Sequence, residues 1–199
     1  MALTTILEYV LYLVWTLLTL TAAKMQNPAF ATVLSAQDVV ERLLSEVRIT
    51  FAPGLMDAVR AATPPTIAYF KSLPYRYEKI WAVYLLVLEK ADSRPMIYVG
   101  SATTASNGFI TRANTYKNLS YAMLPSGVIR ALRDGYTIVH IGLLCWAPIP
   151  TPAKIYAVRA LFLAIEAVFA IVFWALRSRT TTYGSKFNRS LLSFAVVDR

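Results

Sequence analysis

Cysteine is nearly absent from this chain, and its scarcity excludes two common ways of stabilising a small protein. Cys145 is the only cysteine among the 199 residues. Neither an intramolecular disulfide nor a cysteine zinc site can therefore form. A chain without disulfides fits a reducing compartment best, so we expect an intracellular protein, nuclear or cytoplasmic.

Acidic residues are also scarce, and they are distributed unevenly along the chain. Residues 1–79 carry seven Lys or Arg against six Asp or Glu, whereas residues 80–199 carry thirteen against five. The second part therefore holds +8 of the net charge of +9. Clustered Lys and Arg neutralise phosphates and release counterions, which indicates a polyanionic partner for this part. On charge alone, a basic surface that only confers solubility is an equally good interpretation.

Hydrophobic residues make up 57% of the chain and charged residues 16%, so membrane association has to be considered. Residues 6–23 form an apolar run of 18 residues, close to the lower limit for a transmembrane helix. Polar residues at steps of three or four draw a stripe along one face of this helix, which favours packing into protein. The stripe consists of Thr5, Glu8, Tyr12, Thr16 and Thr19. A secretory signal peptide fits poorly, because the first positive charge, Lys24, follows the run.

A second apolar run, from Ile155 to Leu176, is interrupted by Arg159 and Glu166. A carboxylate inside a bilayer or a protein core is costly unless it is paired or hydrogen-bonded. We therefore expect Glu166 to have a specific role. One alternative is an internal ion pair with Arg159, two turns earlier on the same helix face.

Before residue 80 the pattern predicts helices and no chemistry that we recognise. One helix covers the first apolar run, a second covers about residues 36–48, and a short third lies near residues 55–62. Pro53 and Pro64 break the chain on either side of the third helix. We treat this part, residues 1–79, as a helical N-terminal region.

From residue 80 onward the pattern changes to that of an α+β domain. Two extended segments flank a polar turn-forming stretch and predict a β-hairpin, and three helices and a third strand follow. The predicted strands are residues 81–88, 96–101 and 136–146, and the predicted helices are residues 108–117, 126–134 and 152–176. Thr151 is placed as the N-cap of the last helix. We expect residues 80–199 to form a small three-stranded antiparallel sheet flanked by helices.

Residues of this domain occur in the order of a known nuclease motif. In chain order they are Ala82-Val83-Tyr84 and Tyr98-Val99-Gly100 on the hairpin, Arg112 and Tyr116 on the next helix, Glu166 on the long helix, and Phe187-Asn188. In this combination, residues 80–195 resemble the GIY-YIG nuclease superfamily. Two departures are Ala82 in place of the first glycine and a longer segment of 13 residues between the two triplets. Both fall where a hairpin can absorb them.

The resemblance implies a GIY-YIG-like fold and a metal-dependent endonuclease that hydrolyses phosphodiester bonds in nucleic acid. It implies one Mg²⁺ (or Mn²⁺) ion on Glu166, with Tyr84 as general base and Tyr98 as a hydroxyl that positions water or relays a proton. DNA is the expected substrate, although the residues themselves do not decide between DNA and RNA. The implied catalytic residues are Tyr84, Tyr98, Arg112, Tyr116, Glu166 and Asn188. The implied substrate-binding residues are Ser101, Lys117, Lys186 and Arg189.

The residue types also fit this chemistry without the resemblance. Arg112 can lower the pKa of a nearby tyrosine and stabilise the charge that develops on a phosphate. The five carboxylates of residues 80–199 are scattered, so a two-metal site, which needs a cluster of acids, is not expected. A single glutamate, completed by water and substrate phosphate, suits Mg²⁺.

Other interpretations of the same residues stay open. Taken singly, Tyr84 and Tyr98 suit ordinary aromatics that pack across a hairpin better than they suit catalysis. Two alternatives to the nuclease are a membrane-associated protein with two apolar helices and a nucleic-acid-binding module that keeps the fold without cleavage.

Overall fold

The computed structural model describes residues 5–20, 28–175 and 195–196, and the fold within them is α+β. The helices are α1 (Ile6–Leu20), α2 (Pro28–Val33), α3 (Gln37–Val47), α4 (Leu55–Arg60), α5 (Ile67–Ser72), α6 (Phe109–Lys117), α7 (Ser126–Arg133) and α8 (Ile155–Val172). The strands are β1 (Thr50–Phe51), β2 (Ile80–Glu89), β3 (Met96–Ala102), β4 (Thr137–Pro148) and β5 (Ala195–Val196). From β2 to α8 the order of strands and helices is the predicted one.

The sheet is antiparallel throughout, with the strand order β1-β4-β2-β3-β5. Its three long strands are the three predicted from the sequence. The expected total of three is nevertheless wrong, because two-residue strands extend both edges within the described residues. One of them, β1, lies in the region that was predicted to be wholly helical. Strands of two residues are too short to show the alternation on which a sequence prediction depends.

The central strand β2 is buried on both faces. Its side chains on one face pack against α8 and the N-terminal helices, and they are Trp81, Val83, Leu85 and Val87. Its side chains on the other face pack against α6 and α7, and they are Ala82, Tyr84, Leu86 and Leu88. Alternate residues of a strand point to opposite faces, so a strand covered on both sides is apolar at every position. The helices before residue 80 therefore complete one of the two hydrophobic cores of the sheet.

Helix α1 begins with a reciprocal capping box. The Thr5 hydroxyl accepts the Glu8 N–H at 3.2 Å, and the Glu8 carboxylate accepts the Thr5 N–H at 3.0 Å. Val10 and Val14 are fully buried in the core shared with α8, whereas the polar stripe faces outward, with Tyr12 56% exposed. The amphipathic pattern thus orients α1 on the protein.

Residues 152–172 are the one stretch in the described part of the chain that is long and apolar enough to cross a membrane. More than half of this stretch is buried inside the protein. Helix α1 is shorter, with 15 residues. Membrane association stays a prediction.

The predicted start of α8 needs correction. The Thr151 side chain makes no capping hydrogen bond, and a single 3₁₀ turn over Pro152–Lys154 precedes the α-helix. The α-helix ends at Val172, before the predicted end at Leu176. The prolines before this helix predict its approximate start but not its first turn.

Gly108, which precedes α6, occupies a position that a side chain cannot fill without strain. Its φ is 51°, a conformation in which a Cβ atom is disfavoured. A Cβ at Gly108 would also collide with the main-chain carbonyl oxygen of Ile80, at the start of β2. This close approach seats the first turn of α6 on β2.

We expect Gly108→Ala to destabilise the fold by more than about 3 kcal/mol, because backbone strain and a main-chain collision act together. Gly54→Ala is the matched control, since Gly54 has a φ of 70° but its added Cβ would meet no atom nearer than 3.9 Å. The control should lose only about 1 kcal/mol. Urea denaturation of both variants measures the difference. Equal losses would contradict the importance of the approach to Ile80.

Candidate functional site

Three tyrosines from three different elements meet on the α6 face of the sheet. Tyr84 lies on β2, Tyr98 on β3 and Tyr116 on α6, and all three are buried. The hydroxyl oxygens of Tyr84 and Tyr116 are 2.7 Å apart and share a hydrogen bond. The ring centroid of Tyr84 lies 5.7 Å from that of Tyr116 and 6.5 Å from that of Tyr98. The phenol groups therefore form one connected aromatic group.

A glycine on β3 makes room for these rings. Gly100 lies directly opposite Tyr84 in the β2–β3 pair. A Cβ at Gly100 would lie 2.7 Å from the Tyr84 hydroxyl oxygen and 2.8 Å from Cε1 of Tyr98, which is closer than real Cβ contacts. The glycine of the second triplet is thus required by packing. Ala82, which stands where a glycine was expected, is fully buried in the same cluster, so its methyl group is accommodated.

Glu166 is the one charged side chain that is buried among the described residues. It lies on α8 and its carboxylate is hydrogen-bonded by the Ser101 hydroxyl and the Ser101 main-chain N–H. In the described part of the chain, β5 pairs with β3 only at Met96 and Ile97. Ser101, further along β3, therefore has no described strand beside it on that edge. Burial outweighs the hydrogen bonds and raises the pKa of Glu166 to about 7. Its carboxyl group therefore exchanges a proton near neutral pH.

Arg112 supplies the positive charge of the site. Its guanidinium donates to the main-chain carbonyl of Met123 at 3.2 Å, which fixes the side chain beside the tyrosines. Its charge lowers the pKa of Tyr84, Tyr98, Tyr116 and Glu166, although burial raises each of these pKa values more. One cation thus acts on four titratable groups.

Arg159 does not form the ion pair with Glu166 that the sequence left open. The Arg159 guanidinium donates to the main-chain carbonyl of Thr103 at 3.0 Å and lies 5.7 Å from the ring centre of Trp81. The charge that acts on Glu166 comes from Arg112 instead.

Six of the predicted site residues are brought together, and we call them the Arg112–Glu166 cluster: Tyr84, Tyr98, Ser101, Arg112, Tyr116 and Glu166. Lys117 lies apart from them, exposed in the last turn of α6. The other predicted site residues lie outside the described residues, and they are Lys186, Asn188 and Arg189.

Phe109 and the Met123 carbonyl belong to the same site but were not predicted. The ring centroid of Phe109 lies 5.9 Å from that of Tyr84. Phe109 precedes Arg112 by three residues and Tyr116 by seven, so helical periodicity would have placed all three on one face. The Met123 carbonyl has no signal in the sequence, because any residue has a carbonyl group.

The ligands that the cluster offers suit a divalent cation only if water and substrate supply most of its coordination. Among the described residues no group of three or more His, Cys, Asp or Glu side chains could hold a metal ion. Glu166 alone offers a carboxylate, and Mg²⁺ accepts one or two carboxylates when waters and substrate phosphates complete its shell. The residues therefore fit a magnesium ion that is shared with an anionic substrate.

Two cavities lie elsewhere on the protein. One of about 460 Å³ lies at the tip of the β2–β3 hairpin, and one of about 990 Å³ lies beside α5 and the C-terminal end of α8. Neither is lined by a residue of the Arg112–Glu166 cluster. The partly exposed members of the cluster are Ser101 and Arg112, so solvent reaches it at the β3 edge.

Comparisons with family models, curated proteins and solved structures gave no significant match to this chain. The relation to the GIY-YIG superfamily stays a resemblance carried by the residues themselves.

The raised pKa of Glu166 predicts a specific pH dependence of stability. The folded value of about 7 exceeds the usual value of 4.5. An acid of this kind contributes stability that is fully present below its unfolded pKa and is lost as the pH rises through its folded pKa. A difference of this size corresponds to roughly 3 kcal/mol. As the pH rises from 4.5 to about 7, the free energy of unfolding of wild type should therefore fall by this amount relative to that of Glu166→Gln.

The measurement is urea denaturation of wild type and Glu166→Gln across this range of pH. Glutamine keeps the size of the side chain and cannot ionise, so it represents the protonated form at every pH. Stability curves that run parallel for the two proteins would contradict the raised pKa.

Proposed function

We propose that this protein is a divalent-metal-dependent endonuclease that hydrolyses phosphodiester bonds in nucleic acid, with DNA as the expected substrate. The observation that carries the proposal is the convergence of Arg112, Glu166 and three tyrosine hydroxyls, which come from four separate elements. A purely structural role for Glu166 explains its burial poorly, because among the described residues its carboxylate has hydrogen bonds but no close ion pair.

Hydrolysis of a phosphodiester requires positive charge beside the phosphoryl oxygens, an oriented water molecule and a group that takes its proton. Arg112 provides a guanidinium that can bind two phosphate oxygens. Glu166 provides the carboxylate for a cation. A divalent ion held there would supply further positive charge and acidify a bound water molecule.

The tyrosine hydroxyls are the groups that would take the proton of the attacking water molecule. Burial raises the pKa of Tyr84 well above its usual range, so without substrate this phenol is neutral. The charge of Arg112 acts in the opposite direction, and a second cation beside the cluster would lower the same pKa further. To act as the base, Tyr84 must first lose its own proton, and the resulting phenolate then takes the proton of the water and returns to the neutral phenol. Its oxygen shares a hydrogen bond with the Tyr116 hydroxyl at 2.7 Å.

The surface around the cluster suits a polyanion. Residues 109–133, which span α6 and α7, contain four basic residues and no Asp or Glu, and the four are Arg112, Lys117, Arg130 and Arg133. Lys117, Arg130 and Arg133 are exposed. Contacts of this kind bind the phosphate backbone without reading its sequence.

A nucleic-acid-binding module without cleavage is the second candidate function. The burial of Tyr84 favours it, because a buried neutral phenol is a poor base. The two functions differ in whether bound nucleic acid is cut when Mg²⁺ is present.

Replacing the carboxylate tests the proposed metal ligand. We expect Glu166→Gln to lower the rate of Mg²⁺-dependent cleavage by about two orders of magnitude or more, because the charge that holds the cation is lost. Binding of the same labelled DNA in EDTA should be retained. Glu46→Gln, at an exposed site on α3, is the matched control. If Glu166→Gln cuts at the normal rate, Glu166 is not the metal ligand. If wild type binds DNA but does not cut it, the second candidate function, a non-cleaving module, is the correct one.

Variants of Arg112 and of a second arginine distinguish an effect on catalysis from an effect on binding. We expect Arg112→Ala to lower cleavage by about 100-fold or more at saturating substrate, with little change in affinity, because it contacts the charge that develops during reaction. Arg130→Ala, which removes an exposed arginine of α7, should weaken binding slightly and leave turnover unchanged. Single-turnover kinetics and fluorescence anisotropy give the two quantities. A loss confined to binding in Arg112→Ala would place that residue on the general basic surface.

A further inference from the structure

Two tyrosines just before β2 lie half exposed on the surface of α6. Tyr75 is 50% exposed and Tyr77 is 53% exposed. The ring of Tyr75 meets Phe109 edge-on, with 6.0 Å between the centroids, and the Tyr77 hydroxyl donates to Oδ1 of Asn114 at 2.8 Å. Each tyrosine is therefore anchored to α6 by one contact, while about half of its surface stays in solvent.

The two phenols lie close enough to affect each other. Burial and the neighbouring Tyr77 raise the pKa of Tyr75. Both tyrosines belong to a short segment that contacts α6 just before β2 begins. Arg76, which lies between them, points away from α6, with its guanidinium 4.9 Å from the ring centre of Trp146. The alternation places both tyrosines on one side of the segment.

The helix that this pair contacts also carries a basic residue on its exposed face and residues of the candidate site. Lys117 follows Asn114 by three residues, so the two share the exposed face of the helix. Arg112 lies on the opposite flank of α6, in the Arg112–Glu166 cluster. Phe109 contacts the rings of both Tyr75 and Tyr84. A chain that follows α6 would thus pass from the tyrosine pair to the cluster over a helix without acidic residues.

We propose that Tyr75 and Tyr77 form a stacking platform for unpaired bases of the nucleic acid that the Arg112–Glu166 cluster cleaves. The proposal rests on the proposed function and adds the substrate class, a strand with at least one unpaired segment beside the scissile bond. Exposed aromatic rings stack on the face of any base, and neighbouring cations hold the phosphates of the same strand. Bases stacked in a duplex have no free face for such a ring.

Charge favours nucleic acid over an apolar protein partner. Residues 75–79 carry two basic side chains, Arg76 and Lys79, against one acid, Glu78, which pairs with Arg76. Lys117 is exposed on α6, and residues 109–133 contain no acid. The pair is contributed by the N-terminal region, to which the sequence had assigned no chemistry. That region would then determine which strand the site accepts.

Binding in EDTA tests the platform without cleavage. The probes are a labelled DNA single strand of about 20 nucleotides, an RNA of the same sequence and the matching DNA duplex, each followed by fluorescence anisotropy. We expect Tyr77→Ala to weaken single-strand binding about 10-fold and duplex binding by less than about 2-fold. Tyr77→Phe and Tyr75→Phe should keep most of the affinity, because the ring remains. The DNA and RNA arms show which sugar the platform tolerates.

Control variants separate stacking from damage to the fold. Tyr156→Ala removes a tyrosine that is 78% exposed on α8, across the sheet from α6, and should leave binding unchanged. Where an alanine variant lowers the melting temperature, Tyr75→Leu and Tyr77→Leu fill similar space without a ring face and should show the same loss of single-strand affinity.

Two results would overturn the platform: unchanged single-strand affinity in Tyr75→Leu and Tyr77→Ala, or an equal loss on single strand and duplex. The proposed function fails separately. If wild type never cuts in Mg²⁺ while Tyr77→Ala selectively loses single-strand affinity, the platform stands and the nuclease does not. If Glu166-dependent cleavage is present while the tyrosine variants bind normally, the nuclease stands and the platform does not.

Discussion

A carboxyl group, that of Glu166, is buried between α8 and the edge of β3, and its few polar neighbours decide whether it carries a charge. Ser101 hydrogen-bonds to it from the strand, and the charge of Arg112 acts on it from α6. These interactions tie three elements from both sides of the sheet to one point. Removing the charge costs nothing in packing, because a neutral side chain of the same shape fits the space. The proposed nuclease would need this carboxyl group in its ionised form, which desolvation disfavours by raising the pKa to about 7.

Much of the fold from β2 to α8 could be predicted because its signals are local. Strands β2 and β3 show aromatic and branched residues around a turn-forming segment, and α6 and α7 show helical periodicity. The short edge strand β1 had no such signal, since two residues cannot alternate. Its pairing with β4 depends on contacts across nearly a hundred residues of sequence, which no local pattern records.

The candidate site could be predicted in part, through the types and order of its residues. Tyr84, Tyr98, Arg112 and Glu166 were named from the motif, and the fold brings them together. Their electrostatic state was not predictable, because burial and not residue type decides the pKa of a tyrosine or a glutamate. The positions of Tyr75 and Tyr77 also escaped prediction, since their contacts to α6 join distant parts of the chain.

The core shared by α1 and α8 has a consequence for synthesis on the ribosome. Val10 and Val14 are buried in a cluster that includes Val158 and Leu161 of α8, and α8 is made long after α1. At ordinary rates of translation, α1 waits roughly ten seconds with its apolar face uncovered. During that time the nascent chain exposes a strongly apolar helix to chaperones and other hydrophobic surfaces. Only after α8 has been synthesised can the N-terminal helices leave such contacts. They then pack with α8 against the sheet and complete its second helical layer.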